Sequence, residues 1–346
     1  MSCSNSEILS IPQKVLRWLY RESNELSLSL SEWAQLLSAT LLFSNKSFLQ
    51  EFYNVLVQKL EEANDDATIY NTLSYLAFSN PQAGAKLKIR GIEYTLEKIP
   101  LTSGWISAPY YAYGLKDNSA APNQSILIFQ GTTYPTDNGF LAGLLGDTVP
   151  YGAIGTSLYY RGQERIQQWI DNEYIKTGQR VMCTGQSLGG AMSLHCMINQ
   201  SEKVDFVAFN PPTLTTRESL IMSEKNTGNQ GTGGIRRVYS HVNDPVFSLG
   251  NNVLPLNSTI HNYGNTAENP IYAHARAPEK NSEVVNSNSL SHSQNILWQC
   301  VRPFLFMTVV LLHILALPLR LLIGLLLTCW NSCTQASEMV IQRQPR

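Results

Sequence analysis

Residues Arg180–Leu194 read Arg-Val-Met-Cys-Thr-Gly-Gln-Ser-Leu-Gly-Gly-Ala-Met-Ser-Leu. A short apolar run, Val181–Thr184, leads into the Gly185–Gly189 segment with Ser187 at its centre, and small residues follow. This order predicts a strand, a sharp turn and a helix, because the flanking glycines let the strand and the helix pass closely. The motif alone also fits an ordinary Gly-Ser turn. Its context favours a serine whose hydroxyl is exposed as a nucleophile.

The composition is that of a globular protein. The chain has 346 residues, of which 43% are hydrophobic and 15% are charged. A net charge of −1, without a dense stripe of lysine and arginine, predicts that nucleic acid is not a partner. The six cysteines form no C-x-x-C pair, which argues against a zinc site or a disulfide framework and favours a reducing compartment. No metal and no cofactor are expected.

The pattern changes along the chain and predicts four regions. Residues 1–84 carry apolar side chains at helical spacing, as in Lys46–Glu62, and are interpreted as an N-terminal helical region. Residues 85–300 alternate buried strands with helices and are interpreted as an α/β domain. Residues 301–332 form a hydrophobic, membrane-associating segment, and residues 333–346 form a polar tail. The first residues lack the pattern of a cleaved secretory signal.

The segment Phe304–Trp330 is long enough to cross a bilayer as a helix. Its apolar and small residues are interrupted only by His313, Pro318 and Arg320. Two forms are open: a single span kinked at Pro318, or a hairpin of two short arms that enters one leaflet. A buried core helix is the alternative. Cys329 and Cys333, beside this run, are candidate lipidation sites.

Between residues 125 and 246 the strands are expected to form a parallel sheet. The buried strand Ser125–Gln130 ends in Gly-Thr-Thr, and the glycine-bearing loop Tyr134–Gly155 that follows is a candidate lid. A later strand ends at Asp244, where a carboxylate could reach a histidine. Asp205 is the alternative acid, although it begins its strand instead of ending it.

Four motifs occur in order between about residues 125 and 295. They are Ile128-Phe-Gln-Gly-Thr, Thr184-Gly-Gln-Ser-Leu-Gly-Gly-Ala, Phe209-Asn-Pro-Pro and Val242-Asn-Asp-Pro-Val. Together they resemble the class 3 lipase family, the fungal-lipase-like and plant phospholipase A1-like α/β-hydrolases. The chain departs from the family pattern at Gln130, where arginine is usual, and at Gln186, where histidine is usual.

The resemblance implies a set of catalytic residues. Ser187 is the nucleophile, Asp244 is the acid of the triad, and Thr132 forms the oxyanion hole with the backbone N–H of Leu188. The fold it implies is an α/β-hydrolase with a mostly parallel central sheet.

The general base is a choice among histidines. His195 and His241 precede the acid in sequence, and His313 lies in the apolar segment, so three candidates remain: His261, His274 and His292. We favour His292, since Ser289-Leu-Ser-His before an apolar run resembles the start of the family's late helix. His274 and His261 remain alternatives.

These features predict a membrane-associated serine hydrolase that cleaves carboxylic esters of lipids, as a triacylglycerol lipase or a phospholipase does. An esterase held on a bilayer meets its lipid substrate at high effective concentration. The alternative is a catalytically inactive, membrane-anchored protein that keeps the hydrolase fold to bind lipid or protein.

Overall fold

The computed structural model describes residues 9–23, 29, 32, 46–102, 109–132, 153–218, 234–250, 253–255, 257–279 and 282–286. Within these residues nine strands form one mixed sheet in which each strand pairs with its neighbour in sequence. The strands are β1 (Lys86–Ile89), β2 (Ile92–Pro100), β3 (Tyr111–Asp117), β4 (Ile126–Phe129), β5 (Val181–Gln186), β6 (Val204–Phe209), β7 (Arg236–His241), β8 (Thr259–Tyr263) and β9 (Glu283–Asn286).

Helices cover both faces of this sheet. They are α1 (Ile11–Leu19), α2 (Lys46–Glu62), α3 (Asp66–Leu76), α4 (Thr156–Thr177), α5 (Leu188–Asn199) and α6 (Pro270–Ala275), with short 3₁₀ turns at Ala77–Ser79 and Phe247–Leu249. Successive residues of β4 point to opposite faces, as a strand requires. Leu127 and Phe129 join the core beneath α4 and α5, whereas Ile126 and Ile128 join the core beneath α1, α2 and α3.

The sheet is parallel at its centre and antiparallel at its flanks. Strands β4 to β8 pair in parallel, whereas β1 to β4 and β8 to β9 pair antiparallel. The prediction of a mostly parallel sheet is therefore right for the centre only. On the first flank, Arg90 and Gly91 have φ values of 49° and 83° and turn the chain directly back from β1 into β2. A tight turn of this kind joins antiparallel strands, because a parallel connection needs a longer crossover.

The parallel centre brings the candidate site together. Neighbouring parallel strands end at the same edge of a sheet, and ligands of open α/β sheets bind outside that edge. Strand β4 leads there to Thr132, β5 to Ser187, and β7 to Asp244.

The turn at Ser187 has the strained geometry that the glycine pattern predicts. Ser187 has φ 55° and ψ −123°, between β5 and α5. A Cβ on Gly185 would lie 2.4 Å from the backbone carbonyl carbon of Gly189, and a Cβ on Gly189 would lie 2.2 Å from the carbonyl oxygen of Phe129. Both glycines are needed because main chain packs directly on main chain.

Several sequence predictions fall outside the described residues. They include the apolar segment 304–330, His292, and most of the candidate lid, its residues 134–152. Within the described part of the chain, no helix has the length and apolar character needed to cross a membrane. The four region boundaries stay predictions.

Replacing Gly189 with alanine should lower the free energy of unfolding by about 3 kcal/mol, because the added methyl overlaps the backbone of β4. Urea denaturation followed by tryptophan fluorescence measures this change. Gly178→Ala is the matched control, since Gly178 has φ 66° and nothing within 4 Å of an added Cβ, so only about 1 kcal/mol of backbone strain is expected. Equal losses in the two variants would contradict the close approach at Gly189.

Candidate active site

Three side chains from separate parts of the chain form a hydrogen-bonded chain at the edge of the sheet. Nε2 of His274 lies 2.9 Å from Oγ of Ser187. Nδ1 of the same ring lies 3.0 Å and 2.9 Å from the two carboxylate oxygens of Asp244. This is the arrangement in which a nucleophile contacts a base and the base contacts an orienting acid.

The hydrogen bonds assign the proton on the imidazole ring. Asp244 is a carboxylate and can only accept, so Nδ1 of His274 carries the hydrogen. In the neutral ring Nε2 is then an acceptor that faces the hydroxyl of Ser187. The side chain of Asp244 has no solvent exposure, whereas that of His274 is 25% exposed, so the carboxylate is shielded from solvent and the imidazole is accessible. Asp244 also accepts from the backbone N–H of Val246 at 2.9 Å, which holds its carboxylate in place.

The histidine beside Ser187 is thus His274, one of the alternatives from sequence. His292, the favoured candidate, lies outside the described residues. His261 sits on β8, where its Nδ1 lies 3.2 Å from Oγ of Ser282 and its ring stacks on Tyr239. Burial and the charge of Arg237 lower the pKa of His261.

Asp205, the alternative acid, lies at the other end of its strand. Its carboxylate pairs with Arg180 at 3.3 Å and accepts from the backbone N–H of Ile235 at 3.1 Å. It therefore links the amino ends of neighbouring strands.

The residues expected to form the oxyanion hole flank the same turn. Leu188 is the first residue of α5, and the first amide groups of a helix have no acceptor within that helix. A Cβ on Gly131 would lie 2.9 Å from the carbonyl oxygen of Gln186, so the end of β4 packs against the turn. Thr132 follows directly and is half-buried, so it lies beside the turn that carries Ser187 and Leu188.

The helix that carries His274 is held by side chains at its carboxyl end. Such a short helix leaves its last carbonyl groups without internal partners. The amide of Gln186 donates to the carbonyls of His274 at 2.9 Å and Ala275 at 3.3 Å. Asn210, fully buried, donates to the carbonyls of Ala273 at 3.2 Å and His274 at 3.0 Å.

Two tyrosines complete these contacts. The hydroxyl of Tyr75 donates to Ala275 at 2.5 Å, and that of Tyr263 donates to Arg276 at 3.1 Å. Burial raises the pKa of Tyr75 and of Tyr263, so both hydroxyls keep the proton they donate. Asn210 additionally accepts from the backbone N–H of His241 at 2.9 Å, which ties the helix to the end of β7.

The described end of the candidate lid is anchored by a buried pair. Glu218 accepts from the backbone N–H of Ala153 at 3.1 Å, and Nε2 of His195 lies 3.1 Å from the carbonyl oxygen of Ile154. Burial lowers the pKa of His195, although the charge of Glu218 opposes the shift. The start of α4 is thereby tied to α5 behind Ser187.

Sequence reasoning missed Asn210 and Gln186 as supports of the histidine. Both occupy positions at which the chain differs from the family motifs. Asn210 lies in Phe209-Asn-Pro-Pro, and Gln186 directly precedes Ser187. Asn210 also has φ 45°, a region in which asparagine is tolerated better than most residues. Among the described residues, no group of three or more His, Cys, Asp or Glu side chains is arranged to hold a metal.

No protein-family model and no curated protein matches this sequence. Among solved structures, the chain is similar to the Rhizomucor miehei lipase propeptide complex, at 13% identity, over 65% of this chain and 70% of the other, with a TM-score of 0.37. It is also similar to a mono- and diacylglycerol lipase from Aspergillus oryzae, at 12% identity, over 71% of this chain and 87% of the other, with a TM-score of 0.35. The similarity is too low to indicate a reaction, so the function is inferred from the site itself.

Asn210→Ala should destabilise the protein more than Gln186→Leu. Removing Asn210 leaves the buried N–H of His241 without its acceptor, for a loss of about 3 kcal/mol. The carbonyls that lose Gln186 keep Asn210 or Tyr75 as donors, so about 1 kcal/mol is expected. Urea denaturation of both variants measures the difference, and the reverse order would contradict the proposed roles.

Proposed function

We propose that this protein is a serine hydrolase that cleaves carboxylic esters, with Ser187 as nucleophile, His274 as general base and Asp244 as the orienting acid. The observation that carries this proposal is the contact between Ser187 and His274, whose other nitrogen is bound by a buried carboxylate. The strained backbone at Ser187 supports it, since strain of this kind clusters at functional sites.

The first half of the reaction forms an acyl-enzyme. Nε2 of His274 takes the hydroxyl proton as Oγ of Ser187 bonds to the ester carbonyl carbon. The imidazolium that forms is stabilised by the carboxylate of Asp244, which is already within hydrogen-bond distance. When the tetrahedral intermediate collapses, the leaving alcohol takes the proton from Nε2 and departs.

The second half returns the enzyme to its starting state. His274 removes a proton from water, the water oxygen attacks the acyl carbon, and the bond to Oγ of Ser187 breaks as Oγ is reprotonated. In both halves negative charge develops on the carbonyl oxygen. The backbone N–H of Leu188, at the positive end of α5, and Thr132 are proposed to stabilise that charge.

The substrate class proposed is a lipid ester. Support comes from the resemblance to class 3 lipases and from the apolar segment 304–330, which would hold the enzyme at a bilayer. The loop that ends at Gly155 would cover the site as a lid, because it follows Thr132, three residues after the end of β4.

Ser187→Ala and His274→Ala should both abolish hydrolysis of a short-chain p-nitrophenyl ester, with losses of about 10³-fold or more, because nucleophile and base act as a unit. His292→Ala should keep the activity within about threefold, because the proposed base is His274, whose Nε2 lies 2.9 Å from Oγ of Ser187. Initial rates with the full chain measure all three, and an alkyl fluorophosphonate that labels serine nucleophiles reports the same order without a chosen substrate.

His261→Ala is the matched control, since it removes an imidazole from the same sheet but away from Ser187. A wild-type protein that neither hydrolyses esters nor takes up the label would overturn the hydrolase and support the inactive protein instead. Full activity in His274→Ala together with loss of activity in His292→Ala would contradict His274 as the general base and support His292 instead.

Deleting residues 304–346 should lower hydrolysis of long-chain acylglycerols or phospholipids in vesicles by roughly 10- to 100-fold, since a bound enzyme gains effective concentration. The same deletion should leave the rate on a soluble short-chain ester within about twofold, because the triad lies outside this segment. Parallel assays on the two substrates make the comparison. Equal rates of the full and the shortened chain on vesicles would show that this segment has no part in access to the lipid substrate.

A further inference from the structure

A charged cluster surrounds Glu268, just ahead of the helix that carries His274. Its carboxylate is contacted by Arg21 at 2.9 Å, by Nε2 of His241 at 2.8 Å, and by Arg276 at 3.1 Å. The side chain of Glu268 is only 9% exposed, and the four residues together are called the Glu268 cluster. None of its members belongs to the triad, and the proposed reaction uses none of them.

One side of the Glu268 cluster holds the turn that carries the acid. Nδ1 of His241 accepts from the backbone N–H of Asn243 at 3.0 Å, so its Nε2 carries the proton that is donated to Glu268. The side-chain amide of Asn243 donates to the backbone carbonyl of Glu268 at 2.5 Å. The next residue is Asp244, whose N–H donates to the carbonyl of His241 at 3.0 Å. Glu268 therefore contacts this turn through both its side chain and its main chain.

The other side holds the helix that carries the base. Arg276 lies two residues after His274, and its backbone N–H donates to the carbonyl of Tyr272 at 3.0 Å. The ion pair between Arg276 and Glu268 thus ties the residue just after that helix to the residue two positions before its start. His274 lies between these two positions, so the ion pair closes the segment of chain that carries the imidazole.

The N-terminal segment completes the cluster from far away in sequence. Arg21 donates to Glu268 and also, through Nε, to the carbonyl of Ala277 at 3.2 Å. The N–H of Ala277 in turn donates to the carbonyl of Leu19 at 2.9 Å. Arg276 donates to the carbonyl of Ser23 at 2.9 Å. The end of α1 therefore contacts both sides of the histidine segment.

The electrostatics show that Glu268 acts as a charged group. Burial alone raises the pKa of its carboxyl, but hydrogen bonds from Arg21 and His241 outweigh burial and lower that pKa below its ordinary value. A neutral side chain at this position would leave two arginine charges close together without their shared partner. Loss of the negative charge between the two guanidinium groups favours their separation, because like charges repel more strongly in a partly buried site than in water.

We propose that Glu268 is a positioning residue for the hydrolytic reaction. It connects the turn that carries Asp244 to the helix that carries His274, and Arg21 of the N-terminal segment stabilises this connection through its ion pair with Glu268. The proposal rests on the proposed function for its kinetic consequences. It assigns the N-terminal segment a part in catalysis without any contact with substrate.

The test compares Glu268→Gln, Arg21→Gln and the control Glu279→Gln in the full chain. Glu279 pairs with the same Arg21 at 3.1 Å but is 43% exposed, so the control removes an equal charge from the outer side of that arginine. Kinetics on a short-chain ester should show kcat lowered roughly 10- to 100-fold in Glu268→Gln with KM within about twofold, because a small misplacement of the base slows chemistry and not binding. Arg21→Gln should show a smaller loss of the same kind, and Glu279→Gln should match the wild type.

A second readout separates this proposal from the proposed function. The Nδ1 proton of His274, held by Asp244, should give a far-downfield ¹H NMR resonance that is absent in Asp244→Asn. The resonance should be lost or shifted in Glu268→Gln and retained in Glu279→Gln, whether or not the wild type hydrolyses esters. Thermal unfolding checks that each variant is folded. If Glu268→Gln does not fold, the comparison is made with Arg21→Gln instead.

A folded Glu268→Gln with wild-type kcat and an unchanged resonance would overturn the positioning role. Equal losses of kcat in Glu268→Gln and Glu279→Gln would also overturn it, since the effect would then come from the lost charge and not from the position of Glu268. A wild-type protein that shows the resonance but no hydrolysis and no fluorophosphonate labelling would instead overturn the proposed function alone.

Discussion

The contact of main chain with main chain around Ser187 is the constraint on which the site depends. Strand β5, helix α5 and the end of β4 approach so closely that Gly185 and Gly189 have no room for a side chain. This packing holds Ser187 in a backbone conformation that a serine rarely adopts, and helix α5 begins at the next residue, Leu188. The parallel pairing of β4, β5 and β6 provides the rigid support that such strain requires.

The partner of Ser187 is positioned by quite different physics. Helix α6 is too short to be stable alone, because helix formation repays its nucleation cost only over longer runs. Its last carbonyl groups are bound by side chains from three other places in the fold: Tyr75 on α3, Gln186 on β5 and Asn210 after β6. Tyr263 on β8 binds the carbonyl of Arg276, the residue just after the helix. Ser187 is positioned by close packing of main chain at glycines, whereas His274 is positioned by hydrogen bonds from several side chains.

The helices of the first eighty residues acquire a physical role from these contacts. They cover the face of the sheet opposite α4 and α5, in a core that includes Leu56, Leu73 and Phe209. From that face Trp18 packs edge-on against Tyr272, with ring centroids 5.1 Å apart, and Arg276 lies 5.2 Å from the centre of the Trp18 ring. Helix α1 thus packs on the segment that carries His274.

Local sequence determined the turn at Ser187, because the close approach there needs glycines at set spacings, and such a requirement is visible in the sequence. It also indicated Asp244, because an acid and a proline shortly after an apolar strand form a local pattern, although the strand itself ends at His241. It favoured His292 over His274, since several histidines follow the acid and no local rule tells which of them folds back onto the serine. Only the tertiary structure decided that His274 lies there, because its position depends on Tyr75, Gln186 and Asn210, which are distant in sequence. The same holds for Glu268 and Arg21: a single charge is unremarkable along the chain, and its partner is set by how the layers pack.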